Sequence, residues 1–330
     1  MKKVTLVAIC LLVLLSGCEK AVGSMPESVN DKMIVVGFSQ VGAESEWRVA
    51  NTESIKATLT EENGYVLLYE DARQEQENQI RAIRTFIQQE VDYILFSPKV
   101  ETGWDSILLE TKKANIPVIV TDRYIKSDVE GLFTAYIGSD FYREGESAVH
   151  WLEDFLQSQA RTEENIRIVH IQGTIGSTAQ IGRTAALEEA VTEHSNWQIV
   201  AQQCGDFTRA KAYEVMHSIL EDTKDIDVVY CENDGEALGA IAALEEAGIV
   251  CNPMDGVIVL SFDATRLGLQ YCLEQKITLN VECNPLQGPY VDEIIEKLEN
   301  KEPIDQINYI DETQFDCFTI TQEMIDSREY

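Results

Sequence analysis

The sequence predicts an α/β protein with two lobes, each a parallel β-sheet flanked by helices. From residue 33 onward, short runs of β-branched and apolar residues alternate with amphipathic helical patterns, the order expected of a βαβ series. The rhythm restarts after residue 140, so the second half of the chain repeats the first. The length of 330 residues suits two lobes of about 100–150 residues each better than a single core.

The amino-terminal segment is predicted to lie outside the fold. Lys2 and Lys3 precede an apolar run over 4–15 that is too short to span a bilayer, as in a secretory signal peptide. The tetrapeptide at 15–18, Leu-Ser-Gly-Cys, resembles a bacterial lipobox. We therefore expect a signal peptide over 1–17, a lipidated Cys18 followed by a tether to residue 32, and an extracytoplasmic protein anchored to the cell membrane.

In the first lobe the apolar runs predict strands, and the helices are predicted where apolar residues recur with the helical period. The strands are expected near 33–38, 65–69, 92–97, 117–121 and 134–138, and the helices near 46–62, 75–89 and 103–114.

In the second lobe the same two patterns follow one another again. Helices are expected near 141–157, 178–194, 208–222, 235–248 and 265–275, and strands near 166–171, 197–203, 227–231, 256–261 and 278–282. A helix over 287–300 and a tail from about 308 to 330 complete the chain.

Charge and motif content exclude several classes of function. Lys and Arg number 26 against 57 Asp and Glu, and the net charge of -31 would repel a nucleic-acid backbone. No Gly-x-Ser-x-Gly, zinc-ligand spacing or phosphate loop occurs, so no enzyme, metal or cofactor is predicted. The alternative is a glycosidase that uses Asp122 and Asp263 as its carboxylate pair.

Six cysteines lie beyond the amino-terminal segment at wide, irregular spacing, which fits neither a disulfide framework nor a metal site. Most are expected to be small buried apolar side chains. They are Cys204, Cys231, Cys251, Cys272, Cys283 and Cys317.

The stretch over 35–48 carries the first candidate site. A buried strand ends at a glycine turn, and the loop then delivers Glu44, Trp47 and Arg48 at the start of a helix. Open α/β sheets bind ligands beyond the carboxyl ends of their strands. A carboxylate, an indole and a guanidinium together accept hydroxyl protons, stack on a sugar ring and donate hydrogen bonds. The alternative is an exposed ion pair of Glu44 with Arg48 and a core tryptophan.

Polar residues follow three further predicted strands. Asp122 and Arg123 end the strand over 117–121, and together they can accept and donate charge-assisted hydrogen bonds. Asn233 and Asp263 follow two strands of the second lobe and are suited to fixing hydroxyl groups. The alternatives are an ordinary ion pair for the first two and helix N-caps for the others.

The whole pattern resembles the type I periplasmic binding proteins, the ribose- and galactose-binding receptors of ABC importers. The stretches 36–48, 76–79, 102–104, 122–123, 205–209 and 233–234 are similar, in the same order, to those of the galactofuranose-binding receptors in that family. The resemblance implies a three-segment hinge between an N-terminal lobe, 33–137 plus 283–308, and a C-terminal lobe, 138–282 plus 309–330. It also implies a monosaccharide ligand, an ABC permease as partner and a monomer.

The resemblance adds three ligand-binding residues. Arg183 stands where the family carries a ligand-binding arginine, and Phe207 where an aromatic ring lies against the sugar, opposite Trp47. Glu282, at the second crossing between lobes, would accept a hydroxyl group and sense closure. Further candidates of lower rank are Gln40 and Asp140.

Two points about the ligand stay open. This chain departs from the galactofuranose pattern at Glu46 and over 69–73, and it does not reproduce the cysteine pair of that pattern. The sequence therefore does not determine the sugar or its ring form. An anionic sugar derivative is an alternative ligand because three arginines are predicted in the cleft, although the predicted carboxylates balance them. The same receptor could instead present its ligand to a membrane histidine kinase.

Overall fold

The computed structural model describes residues 33–330, so the predicted signal peptide, Cys18 and the tether lie outside the described residues. The first series of elements alternates strands and helices as predicted. It comprises β1 (Ile34–Gln40), α1 (Glu46–Thr58), β2 (Tyr65–Asp71), α2 (Gln76–Gln88), β3 (Tyr93–Phe96), α3 (Asp105–Ala114), β4 (Val118–Thr121) and β5 (Ala135–Gly138).

The second series repeats the first. It comprises α4 (Phe141–Ser158), β6 (Ile166–Gln172), α5 (Thr178–Glu193), β7 (Trp197–Cys204), α6 (Arg209–Asp222), β8 (Val228–Cys231), α7 (Asp234–Glu246), β9 (Ile258–Asp263), α8 (Arg266–Leu273) and β10 (Leu279–Glu282). The chain then closes with α9 (Gly288–Glu299), β11 (Ile307–Tyr309), β12 (Gln314–Asp316) and α10 (Gln322–Asp326).

The strands form two six-stranded sheets with matching order. The first sheet runs β11-β5-β4-β3-β1-β2 and is parallel throughout, and the second runs β12-β10-β9-β8-β6-β7. In the second sheet only the edge strand β12 is antiparallel, paired with β10. The fold is therefore the predicted pair of doubly covered α/β lobes, and the second lobe copies the strand order of the first.

The chain passes between the two sheets three times. The crossings lie between β5 and α4 (139–140), between β10 and α9 (283–287) and between β11 and β12 (310–313). Helix α4 packs on the second sheet and α9 on the first. We call the part built on the first sheet lobe one (33–138 and 288–309) and the part built on the second lobe two (141–282 and 314–330).

Each sheet has a hydrophobic core on both faces, which explains why its central strands have no exposed side. All residues of β3, β4, β8 and β10 are buried, whereas most helices bury one stripe. In α2, for example, Gln79, Ala82, Ile83 and Phe86 face the sheet at helical spacing. Of the six described cysteines, five are buried and Cys204 is half-buried, which confirms the prediction that most of them are buried.

Two details differ from the prediction. Helix α1 ends at Thr58 instead of 62, because residues 60–64 form a turn in which Gly64 takes the left-handed conformation (φ 89°). The tail contains two short strands and a short helix, whose few residues carry no periodic signal. Within residues 33–330, none of the helices combines the length and the apolar character needed to cross a bilayer.

Candidate ligand-binding site

Loops at the carboxyl ends of both sheets face each other around a small cavity, and a second cavity of about 140 Å³ adjoins it. Nine of the ten predicted site residues line it: Glu44, Trp47, Arg48, Asp122, Arg123, Arg183, Phe207, Asn233 and Asp263. The remaining lining residues are Ser45, Phe141, Ala179 and Cys283. The cavity has a volume of about 20 Å³, close to the space one water molecule needs. The walls therefore lie almost in contact.

Arg48 organises the wall from lobe one. The Ser45 side chain accepts a hydrogen bond from the Arg48 backbone N–H (3.1 Å) and so caps α1, which places Trp47 and Arg48 in its first turn. Arg48 Nε lies 3.0 Å from Glu44 Oε1, and Nη1 lies 2.6 Å from Asp122 Oδ2. All three charged side chains are at most 4% exposed, so the Glu44–Arg48 pair is buried and not the exposed surface pair of the alternative reading.

The positive charge of Arg123 is less closely paired with carboxylates than that of Arg48. Its Nη2 lies 3.4 Å from Glu44 Oε1, its Nε lies 3.8 Å from Asp122 Oδ2, and its Nη1 donates to the Lys99 carbonyl over 3.1 Å. Burial lowers the pKa of Arg123, and the charge of Arg48 lowers it further. Burial would raise the pKa of Glu44, but the two guanidinium groups outweigh it and hold that pKa below its usual value. Glu44 is therefore an ionised acceptor.

Trp47 connects the cavity with the second crossing. Its Nε1–H donates to the Cys283 carbonyl over 2.6 Å, and the Arg48 guanidinium lies 4.7 Å from its ring centroid. Trp47, Phe141, Ala179, Phe207 and Cys283 form a buried apolar cluster around the cavity. The apolar lining thus comes from both lobes and from the crossing between them.

Arg183 is the charged centre of the wall from lobe two. It lies on α5, whose N-cap is Ser177, and its Nε is 2.7 Å from Glu144 Oε2. Its Nη1 donates to the Glu232 carbonyl, and its Nη2 lies 4.0 Å from Asp263 Oδ1. The guanidinium also lies over the Phe262 ring at 4.6 Å. Burial alone would lower the pKa of Arg183, but the nearby carboxylates raise it. Arg183 therefore keeps its charge.

Phe207 is held in an unusual conformation. Asp206 and Phe207 both have φ of 58°, in the left-handed region that favours glycine. The Phe207 N–H donates to Glu236 Oε1 over 2.9 Å, and Arg123 of the opposite lobe lies 5.2 Å from its ring centroid. A Cβ at Gly173 would come within 2.0 Å of the ring, so glycine there makes room for Phe207.

Asn233 and Asp263 follow the ends of neighbouring strands. Asn233 is the N-cap of α7, as the alternative reading expected, and its Nδ2 also donates to the Phe207 carbonyl over 3.2 Å. Asp263 is the last residue of β9, with φ of 101°, and it does not cap α8, whose N-cap is Thr265. Burial raises the pKa of Asp263 well above its usual value, against the opposing charge of Arg183.

The structure places Glu282 outside the cavity. Its carboxylate lies 2.8 Å from Arg328 Nη2, and it accepts hydrogen bonds from the Tyr330 hydroxyl (3.1 Å) and the Thr313 N–H (3.1 Å). These partners belong to the third crossing and the chain end, which the sequence pattern did not place near residue 282.

The two lower-ranked candidates also lie elsewhere. Gln40 donates to the side chains of Asn51 and Thr52 beneath α1. Asp140 caps α4 through the Arg143 N–H at 3.2 Å.

Sequence reasoning missed four lining residues. Phe141 had a usable signal, because it is an aromatic residue that follows a strand end and an aspartate, much as Phe207 does. Ser45 lies within the stretch over 35–48, but no role in binding was predicted for it. Ala179 and Cys283 carry no signal that separates them from core residues.

Two α/β lobes that enclose a polar and aromatic cavity define a ligand-binding receptor of the bilobal class. The family comparison agrees: residues 36–287 match the family model described as a periplasmic binding protein domain, and the chain belongs to that family.

Individual relatives are similar over most of their length. The galactofuranose-binding protein YtfQ of Escherichia coli (strain K12) is 35% identical over 285 residues, covering 85% of this chain and 86% of YtfQ. A crystal structure from Mycobacterium smegmatis in complex with β-D-fucofuranose is 42% identical, with a TM-score of 0.82, covering 89% of this chain and 93% of that one.

A third relative is the periplasmic binding protein component of the arabinose ABC transporter from Shewanella sp. ANA-3, bound to α- and β-L-arabinofuranose. It is 38% identical, with a TM-score of 0.81, and covers 89% of this chain and 95% of that chain.

Proposed function

We propose that this protein is the extracytoplasmic receptor of an ABC sugar importer and binds a monosaccharide in its furanose form, galactofuranose or a close relative, between its two lobes. The observation that carries the proposal is a cavity in which acidic, guanidinium and aromatic side chains of both lobes converge. The names of the three relatives, which refer to galactofuranose, fucofuranose and arabinofuranose, support the furanose form.

The side chains fit the chemistry of a sugar. Glu44 and Asp122 accept hydroxyl protons, Arg123 and Arg183 donate, and such charge-assisted hydrogen bonds are stronger than neutral ones. Aromatic rings provide an apolar surface for the face of the sugar ring. They come from Trp47 in lobe one and from Phe141 and Phe207 in lobe two.

A neutral ligand fits the charges better than an anionic one. Each of the three guanidinium groups already has a carboxylate within 4.0 Å: Arg48 and Arg123 have Glu44, and Arg183 has Glu144. An added carboxylate or phosphate would therefore compete with groups that are buried and paired, and the unpaired group would carry a desolvation cost.

Ligand entry requires the lobes to separate, since the present cavity holds little more than one water molecule. We propose the three crossings as the hinge, with the sugar binding the closed arrangement better because it contacts both walls. No bond of the ligand is broken. Glu282, with its partners in the third crossing, contributes to the hinge and not to the ligand.

The location and partner follow from the sequence and from the family. We propose that Cys18 carries the lipid anchor, and that the permease of the importer recognises the closed receptor. Incorporation of labelled fatty acid in the producing cell, absent in C18A, tests the anchor. Recovery of a permease or of a histidine kinase with the tethered receptor distinguishes transport from sensing.

The decisive experiment is calorimetric titration of the protein lacking residues 1–18 with D-galactose, D-fucose and L-arabinose, and with galacturonate and galactose 1-phosphate. We expect binding of a neutral sugar that D122A and R123A abolish. R84A is the matched control, because Arg84 forms an exposed ion pair with Glu110. The ring form is identified in a crystal structure of the complex. Binding of only the anionic sugars, or hydrolysis of an added glycoside, would contradict the proposal.

A further inference from the structure

The three crossings meet around one group of side chains, which we call the crossing cluster: Ser139, Glu144, Cys283, Asn284 and Glu312. Ser139 Oγ donates to Glu312 Oε1 over 2.6 Å, and the Asn284 N–H donates to the same oxygen over 2.7 Å. Ser139 belongs to the first crossing, Asn284 to the second and Glu312 to the third. One carboxyl group therefore joins all three connections between the lobes.

Glu144 links the crossing cluster to the ligand cavity. Its Oε2 accepts a hydrogen bond from Arg183 Nε, and Arg183 lines the cavity. Its Oε1 is buried and has no hydrogen-bond donor among the described residues. A carboxyl oxygen of Glu144, one of Glu312 and the thiol of Cys283 all lie within 4.8 Å of one another. Two carboxyl groups this close, with Glu144 buried and Glu312 half-buried, cannot both carry a full charge without a large cost.

Few positive charges face Glu144 and Glu312, so two negative charges on this pair would not be balanced. Arg183 of α5 is the cation in contact with Glu144, and the Cys283 thiol is the ionisable group of the second crossing. Glu144 and Glu312 themselves border a groove of about 520 Å³, whose other ionisable lining residues are Asp140, Arg143, His150, Asp154, Tyr309 and Asp311. Burial and then the charge of Glu144 raise the pKa of Glu312 to about 9. Burial also raises the pKa of Glu144, against the attraction of Arg183.

Building on the proposed sugar-binding function, we propose that Glu312 is a positioning residue: in the closed receptor it shares one proton with Glu144 and thereby holds Arg183 at the cavity. The carboxylic O–H of Glu312 donates to Glu144 Oε1, which otherwise has no donor, while Glu144 Oε2 keeps Arg183. When the lobes separate, the crossings change their backbone angles, water reaches both carboxyl groups and the proton leaves to solvent. Closure takes the proton up again.

A divalent cation is the competing occupant of these oxygens. The positive Arg183 beside Glu144 opposes it. Cys283 opposes it as well, because burial raises the pKa of its thiol well above the usual value and a metal binds only the thiolate. The proton satisfies the unpartnered oxygen at lower cost.

The proposal predicts the direction of a pH effect. A group whose pKa is raised in the closed form favours closure fully below its open-state pKa, about 4.3 for glutamate, and loses this contribution as the pH rises through its closed-state pKa. Sugar affinity should therefore fall as the pH rises from 6 to 9, by up to about tenfold per unit. Titration of D-galactose in buffers of different ionisation enthalpy should show uptake of up to about one proton per sugar bound.

E312Q is the informative variant, because glutamine imitates the protonated acid. Its Oε1 can still accept from Ser139 and Asn284, and its Nε2 can donate to Glu144. We expect E312Q to bind sugar at pH 8 at least as tightly as the native protein, without proton uptake and with a flat pH profile. E312D, whose carboxyl group is withdrawn by one methylene, should bind at least about tenfold more weakly at pH 7. H150Q and D154N at the groove serve as controls and should keep the native profile.

Several results would overturn the inference. They are sugar binding without proton uptake in the native protein, uptake that persists in E312Q, uptake lost in H150Q, and a stoichiometric divalent metal in the purified protein that E312Q lacks. The native protein suffices for the first of these even if the variants fold poorly. If no sugar binds at any pH, the proposed function fails, and this inference fails with it.

Discussion

At the scale of single residues, three lining residues of the cavity have unusual backbone conformations. Asp122, Phe207 and Asp263 all have positive φ, at 62°, 58° and 101°, and all three line the cavity. Such conformations are costly for residues other than glycine and persist where the surrounding structure holds them, often at functional sites. At Asp122 the Tyr136 hydroxyl donates to the backbone carbonyl over 2.7 Å. The strain fixes the directions of three side chains before any ligand arrives.

We expect D122N to lower both stability and sugar affinity. Asp122 lies between Arg48, at 2.6 Å, and the Ser97 hydroxyl, at 2.9 Å, and removing one member of a buried ion pair costs about 3–5 kcal/mol. Urea unfolding measures the free energy and calorimetry the affinity. The control E110Q breaks an exposed pair and should cost about 0–1 kcal/mol. Equal effects of D122N and E110Q on stability would contradict the electrostatic role of Asp122.

We expect F207L to weaken sugar binding by about tenfold, because the loss of an aromatic face costs about 0.5–1.5 kcal/mol beyond the buried area. G173A should weaken binding as well, since its new Cβ would displace the Phe207 ring. The control is F318L, which alters an exposed ring stacked on Phe155 at 5.7 Å. If calorimetry shows native affinity for F207L and G173A, Phe207 is only part of the core.

At the scale of elements, the first turn of α7 anchors the wall from lobe two. Asp234 accepts hydrogen bonds from Ser261 Oγ (2.6 Å), Thr265 N–H (2.8 Å) and Asn280 Nδ2 (2.6 Å), so α7 is tied to β9, α8 and β10. Glu236, in the same turn, accepts from the Phe207 N–H and ties α7 to the loop after β7. One helix start thus fixes the positions of both Asn233 and Phe207.

We expect E236Q to be more stable than the native protein at pH 7. Burial, and then the charge of Glu232, raises the pKa of Glu236 well above its usual value, so folding takes up a proton at this carboxyl when the pH lies between its unfolded and folded pKa values. Glutamine avoids that cost. Because the raised pKa favours the folded state only at low pH, the advantage of E236Q should grow with pH by up to about 1.4 kcal/mol per unit.

Urea unfolding at pH 5, 6 and 7 measures this advantage. The matched control is E245Q near the far end of α7, where Glu245 is exposed and paired with Lys276, and its effect should stay small at every pH. A destabilised E236Q at pH 7 would mean that Glu236 is buried as a charged group.

At the scale of the molecule, the sequence was sufficient for the fold because both lobes consist of fully covered parallel strands, whose apolar runs are distinct from helical periodicity. Most of the cavity could also be predicted from the sequence, because the carboxyl ends of parallel strands share one edge of the sheet. The polar residues that follow four strands must meet at that edge. The contacts made by the tail could not be predicted from the sequence. Glu282 pairs with Arg328 and Tyr330, more than 40 positions away, and Glu312 joins the crossings through long-range contacts that no local pattern encodes.

We expect the affinity for a neutral sugar to change by less than about twofold between about 0.05 and about 0.5 M NaCl, because buried ion pairs are little screened by salt. The net charge of -31 should then have little effect on the affinity for a neutral sugar. Galacturonate, titrated in parallel, is the control for a ligand whose approach to an acidic protein does depend on ionic strength. A steep salt dependence for the sugar itself would indicate that an exposed charge takes part in binding.

The contact between Trp47 and the second crossing provides a spectroscopic probe already built into the chain. The indole N–H donates to the Cys283 carbonyl, the ring borders the cavity and a guanidinium lies over it. Indole emission depends on the polarity and hydrogen bonding around the ring, so opening, closing and occupation of the receptor should each change it. Of the other three tryptophans, Trp104 and Trp197 are buried in the cores and Trp151 faces the groove beside α4, so W47F should remove the signal while leaving their emission in place. Stopped-flow fluorescence of the unlabelled protein can thus follow lobe closure in real time.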